Sequence, residues 1–218
     1  MQTRFIGNKN ITYQFLVVLI LLFISLSALV YFFPPTFIDI KISKEIQEYE
    51  HAAIENLMIF ISWFGGTIKV LSLSLGAACV FYFMKYLKEA LFVASTMLVS
   101  VVNYGFKLLI DRPRPDSSLV NIVQDAEHHS FPSGHTSFYV VYFGFLIFLM
   151  IYLQIPKKIL RSLGIFICAF LIATIPLSRI YLGVHWVTDV IGGFLLGLIM
   201  LIIIIHSYLS TKFKKVKE

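Results

Sequence analysis

Charge is scarce in this chain. Of 218 residues only 14% are Asp, Glu, Lys or Arg, and 58% are hydrophobic. A soluble globular domain carries about 25% charged and about 45–50% apolar residues. The deficit excludes a water-soluble globule and points to helices immersed in lipid. Cysteine is nearly absent too. Cys79 and Cys168 both lie in apolar runs, too few and too isolated for a disulfide framework or a thiolate metal cluster, and they are expected to be buried, inert thiols. Repeats, low-complexity stretches and polar linkers are missing, so the simplest division is one membrane unit over residues 1–218. The net charge is +6, but the basic residues gather at the ends of apolar runs. There they orient a chain in a bilayer, and no nucleic-acid partner is expected.

What is abundant is long apolar sequence. A span needs about 20 mostly apolar residues, and six candidates occur: 11–33, 66–84, 90–110, 136–153, 159–177 and 187–205. The expected fold class is therefore all-α, an integral membrane bundle of six transmembrane helices. The first run exceeds a signal-peptide core of about 7–15 residues and is read as a span. With six spans, Arg4, Lys9, Lys85, Lys88, Lys157, Lys158, Arg161, Lys212, Lys214, Lys215 and Lys217 share one side, 11 of the 18 basic residues. The positive-inside rule makes that side cytoplasmic and puts both termini there. The connector 34–65 faces the other way, with Lys41 and Lys44 against Asp39, Glu45, Glu48, Glu50 and Glu55. Ile42, Ile46, Tyr49, Ala53 and Leu57 recur at helical spacing, which predicts an amphipathic helix on the outer side between spans one and two. Lys69 is read as a lysine snorkelling to the interface.

Three polar stretches interrupt the apolar pattern, all at outer span ends. "KLLIDRPRP" places Lys107 near the end of span three, followed by Arg112 and Arg114 in a proline-stiffened turn. "FPSGH" opens span four. Ser133 can cap that helix, Gly134 lets a ligand approach the backbone, and the helix N-terminus favours an anion. His135 stands at the same mouth, with His128 and His129 read as loop residues. "SRIYLGVHWVTD" carries Arg179, then His185 and Asp189 four residues apart, a spacing that shares one helix face. A carboxylate on one imidazole nitrogen leaves the other free to act as a base or nucleophile. His51 and His206 look solitary. No metal-ligand set of three or four residues is evident.

In this order and spacing the stretches resemble the three-part signature of the type 2 phosphatidic acid phosphatase superfamily. Lys107 is followed by six residues and Arg114-Pro115. Pro132-Ser133-Gly134-His135 forms the second part, and Ser178-Arg179, His185 and Asp189 form the third. The resemblance implies a lipid phosphatase of the inner (plasma) membrane, acting on a lipid phosphate monoester or diphosphate at the outer leaflet, with no metal or other cofactor. It implies that His185 attacks phosphorus to form a phosphohistidine, that Asp189 orients His185, and that His135 protonates the leaving oxygen and then activates water. It further implies that Lys107, Arg114, Ser133, Gly134 and Arg179 bind the phosphoryl oxygens. Phosphatidate, phosphatidylglycerol phosphate and undecaprenyl diphosphate all fit such a site. Two other readings stay open from the sequence: a transporter or channel motivated by Lys107 and Asp189, and a non-catalytic lipid-binding scaffold.

Overall fold

A computed structural model of the protein describes residues 9–33, 35–49, 51–127, 129–153 and 157–211. The basic residues Arg4, Lys212, Lys214, Lys215 and Lys217, the acidic Glu50 and the loop residue His128 lie outside them. Among the described residues are nine α-helices: α1 (Lys9–Phe32), α2 (Phe37–Gln47), α3 (Ala52–Ser62), α4 (Thr67–Phe83), α5 (Leu87–Ser95), α6 (Leu98–Ile110), α7 (Gly134–Tyr152), α8 (Lys158–Tyr181) and α9 (Val187–Ser210). A single 3-10 turn, Trp63–Gly65, joins α3 to α4.

Five helical segments are long and apolar enough to cross a membrane: Asn10–Phe32, Leu87–Ile110, Gly134–Tyr152, Lys158–Tyr181 and Val187–Ser210. The pair Ala52–Gly65 and Thr67–Phe83 passes the same test only when taken together and is bent by 60°, so the described residues hold five or six candidate spans. The run expected as a span at 66–84 is the second helix of this bent pair. At 1.5 Å per residue the 17 residues of α4 reach about 25 Å, short of a hydrocarbon core of about 30 Å. The chain is a multi-pass membrane protein.

α7 is the hub. It packs on α8, α9 and α6 and is the most buried of the spans. Its Phe138, Tyr139, Val141, Phe145 and Leu149 fill the main core with Ile175 of α8 and Tyr208 of α9. α9 approaches α7 closely because glycine faces it: a Cβ on Gly197 would stand 2.7 Å from the Val140 Cβ. Small residues set this kind of close helix contact in membranes. The outer helices invert the soluble rule. Ile11, Phe15, Val17, Leu21 and Ile24 of α1 are exposed, facing where lipid would be. Cys79 follows the same logic. The expectation that both thiols are buried holds for Cys168 alone, because Cys79 lies on the outward face of α4, and an apolar residue in a span can face lipid as easily as the core.

Two helices, α2 and α3, lie between α1 and α4, and α2 is amphipathic in an unusual sense. Its buried residues are the polar Asp39, Ser43 and Gln47, four residues apart, whereas Phe37 and Ile38 are exposed. The expected stripe does not run through: Tyr49 and Leu57 are exposed. The polar stripe faces inward because the bundle interior at this end is itself polar. Gln47 donates to the carbonyls of Asn121 (2.7 Å) and Tyr181 (2.8 Å), and accepts from the Asn121 N–H (3.0 Å). Lys69 has its ammonium 4.5 Å from the centre of the Trp63 ring, a cation–π contact rather than a free snorkel.

Candidate active site

Alternate spans bring their like ends together. The C-termini of α6 and α8 and the N-termini of α7 and α9 meet at one end of the bundle, and each of the three polar stretches sits there. Electrostatically, His135 feels Arg179, His185, Arg114 and Lys107, and His185 feels the same three cations. The stretches that lie far apart in sequence therefore form one cluster, joined by Lys107 to the Ser130 carbonyl, Ser130 to His185, Arg114 to the Val184 carbonyl and Ser133 N–H to the Asp189 carbonyl.

His185 is buried in the turn before α9, not on the helix with Asp189 as the spacing predicts. Asp189 is the third residue of α9 and reaches back to accept from the Trp186 N–H (2.8 Å), which satisfies a free helix-terminal donor. The His185 Nδ1 lies 3.5 Å from Asp189 Oδ2, long for a hydrogen bond. Ser130 closes the gap. Its hydroxyl donates to Asp189 Oδ2 and lies 3.3 Å from His185 Nδ1. A hydroxyl has one proton to give. With that proton on Asp189, the Ser130 oxygen accepts from Nδ1–H, and the Nε2 lone pair of His185 is left for chemistry. Burial holds the His185 imidazole well below its ordinary value, and Arg114, Lys107 and Arg179 push it lower. It is neutral near pH 7.

The cations are anchored by main-chain oxygens. Lys107 donates to the carbonyls of His129 and Ser130, fixing the loop that carries Ser130. Arg114 donates to the carbonyls of Glu127 (2.8 and 3.1 Å) and Val184 (2.6 Å), tying that loop to the turn holding His185. Burial draws its guanidinium below the ordinary value. Arg179 donates to the Ser62 hydroxyl and to Gln124 Oε1 (3.3 Å). Its Nε is buried with no hydrogen-bond partner among the described residues.

Ser133 caps α7, its Oγ accepting from Thr136 N (3.4 Å) and Thr136 Oγ1 (3.0 Å). Its own N–H donates to the Asp189 carbonyl (2.9 Å), so the first turns of α7 and α9 are stitched together. A Cβ added to Gly134 would meet only Asn103, at 3.4 Å from Oδ1. His135 is half-buried in the first turn of α7. The bent pair presses on it: a Cβ on Gly65 would collide with the His135 ring. The remaining histidines among the described residues take local roles. His51 caps α3 (3.1 Å from Ala53 N to Nδ1), His129 pairs with Asp111 (2.6 Å), and His206 packs at a tilt on Tyr13.

Sequence reasoning overlooked Ser130, Arg112, Asp39 and Ser62. Arg112 was read only as part of a basic turn. It is buried, and its two terminal nitrogens reach Asp189 and Asp39. Among the described residues no group of three or more His, Cys, Asp or Glu is placed to hold a metal ion.

The chain is similar to known proteins in both sequence and shape. Phosphatidylglycerophosphatase B of Bacillus subtilis (strain 168) is 38% identical over 109 residues, 48% of this chain and 50% of that protein. Lipid phosphate phosphatase delta of Arabidopsis thaliana is 26% identical over 117 residues, 49% of this chain and 28% of that protein. The chain spans half or less of the length of these curated relatives. A solved transmembrane PAP2-type phosphatidylglycerolphosphate phosphatase from Bacillus subtilis superposes with a TM-score of 0.74 at 25% identity, covering 91% of this chain and 98% of that one. Residues 88–212, more than half of the chain, match the family model of the PAP2 superfamily, and the chain belongs to that superfamily.

Proposed function

We propose that the protein is a membrane phosphatase that cleaves a phosphomonoester or diphosphate from a lipid at the outer leaflet, through a phosphohistidine. The observation that carries this reading is the convergence of a buried neutral His185, a half-buried His135 and the cations Lys107, Arg114 and Arg179 on one pocket at the span ends. His185 Nε2 attacks phosphorus and the bond to the lipid oxygen breaks, with His135 supplying the proton that the leaving oxygen takes. Water then attacks the phosphohistidine, His135 accepts its proton, and inorganic phosphate leaves as His185 is restored. Lys107, Arg114, Arg179, the Ser133 hydroxyl and the Gly134 N–H bind the phosphoryl oxygens and stabilise the charge of the transferring group, which is most of phosphoryl-transfer catalysis. The positive-inside pattern supports an inner (plasma) membrane protein with both termini cytoplasmic and this pocket on the outer side. The relatives' names support lipid phosphates as the substrate class.

The test is phosphate release by the purified protein in detergent from phosphatidate, phosphatidylglycerol phosphate and undecaprenyl diphosphate, with and without a chelator. Release from at least one lipid, undiminished by chelation, is the expected result. Loss on chelation that added metal restores would contradict a mechanism in which side-chain cations supply the positive charge.

The cations make a second prediction. Arg114 helps depress the His185 imidazole. In Arg114→Gln a positive neighbour is gone, so protonated His185 becomes easier to form and its pKa rises. Neutral His185 is then lost sooner on acidification. The acid limb of the kcat/KM profile is expected to move to higher pH than in the wild type, together with a higher KM. An unmoved limb would mean that His185 is not the group titrating there.

A further inference from the structure

Arg112 lies between two carboxylates. Its NH1 donates to Asp189 Oδ1 and to the Thr188 hydroxyl (2.7 Å), and its NH2 donates to Asp39 Oδ2 (2.7 Å). All three charged side chains have no exposed surface. Asp39 does more than pair with Arg112. It accepts from the backbone N–H of Thr188 (2.9 Å) and from the Thr188 hydroxyl (2.9 Å), so it caps α9 from outside. It also closes the capping box of its own helix with Thr36. Asp39 lies outside the residues that match the family model.

We infer that Asp39, acting through Arg112 and Thr188, is a positioning residue for the Asp189–Ser130–His185 chain. The inference rests on the reading of His185 as nucleophile. Arg112 alone with Asp189 would form a neutral pair, and the carboxylate would have little charge left to offset the positive character that His185 gains on phosphorylation. Asp39 supplies the second negative charge, leaving the three-residue cluster with a net charge of −1 beside the imidazole chain. Its hold on Arg112 also fixes which oxygen of Asp189 is occupied. Oδ1 faces the guanidinium and Oδ2 stays turned to Ser130, Trp186 N–H and His185. The groups that face His185 are Ser130, Asp189, His135, Lys107, Arg114 and Arg179. Asp39 reaches it only through the cluster.

Two variants of the full-length protein in detergent test this, each with monodispersity and thermal unfolding measured beside kinetics on whichever lipid phosphate the wild type cleaves. Asp39→Asn is expected to lower kcat by on the order of 10²-fold, the scale of misplacing a reacting group, with KM within about twofold because no phosphate contact is lost. Thr188→Val keeps the side-chain shape, removes only the hydroxyl between Arg112 and Asp39, and is expected to lower kcat about tenfold, with KM again unchanged. The two differ in folding risk, since Asp39→Asn strips a buried cation of one partner. If Asp39→Asn fails to fold, Thr188→Val decides. Wild-type kcat in folded Thr188→Val overturns the inference, as does wild-type kcat in folded but less stable Asp39→Asn, which would make Asp39 a clamp between helices and nothing more. An increased KM at constant kcat overturns it as well. A wild type that releases no phosphate from any lipid defeats the phosphatase reading instead, so the two failures are distinct.

Discussion

His185→Gln is expected to abolish turnover, lowering kcat by about 10⁴-fold or more, the scale seen when a member of a catalytic nucleophile–base unit is removed. The argument is stereochemical. One ring nitrogen, Nδ1, faces Ser130 and Asp189, so Nε2 is the atom left to attack phosphorus. Glutamine retains a polar side chain of similar size but offers no nucleophilic nitrogen. Because burial keeps His185 neutral, the substitution removes no charge from the pocket and leaves Lys107, Arg114 and Arg179 in place, so lipid binding should survive. Two measurements check this. Phosphate release should vanish while binding of the lipid phosphate persists. Rapid acid-free quenching with labelled substrate should capture a base-stable, acid-labile phosphoenzyme in the wild type and none in the variant. More than a tenth of wild-type kcat in the variant would remove His185 as nucleophile.

The spans were readable because a membrane helix announces itself by length and apolarity, and five of the six run close to the expected bounds. The bend in the α3–α4 pair was not. "IFISWFGGTIKV" is apolar on both sides of the break, and only the Gly65-Gly66 pair marks it. The catalytic candidates were readable because polar residues are rare here and each one at a span end stands out. Asp39 was hidden for the opposite reason. It sits in a connector already rich in acids, and its partner Arg112 lies 73 residues away. The apolar residues of this connector predict an amphipathic helix, but Asp39, Ser43 and Gln47 hold the same helical period and are the residues that α2 buries. In a bundle whose polar chemistry is interior, the polar stripe is the one to bury. Ser130 was missed because a lone serine in a loop carries no periodicity. Its hydroxyl comes between a histidine and a carboxylate only once the chain is folded. His185 and Asp189 were correctly paired by spacing, but by a helix-capping turn rather than by a shared helix face.

His135→Ala should separate the two halves of the reaction. General acid–base groups contribute about 10²–10⁴-fold, and a lipid alkoxide is a poor leaving group that needs its proton. With a lipid phosphate both phosphorylation of His185 and hydrolysis of the phosphohistidine are expected to slow, and kcat to fall on the order of 10³-fold. With an aryl phosphate such as p-nitrophenyl phosphate the leaving oxygen needs little help, so the first step is largely spared while hydrolysis still lacks its base. A burst of p-nitrophenol equal to the enzyme concentration should then appear, followed by slow turnover, with phosphoenzyme accumulating to a level the wild type does not reach. Equal losses on both substrates and no burst would argue that His135 binds phosphate rather than moving protons. The packing of Gly65 on the ring makes this distinction structural as well as kinetic. A residue packed against the backbone of Gly65, in the first turn of α7, is constrained in direction more than in charge, and direction is what proton transfer to a leaving oxygen requires.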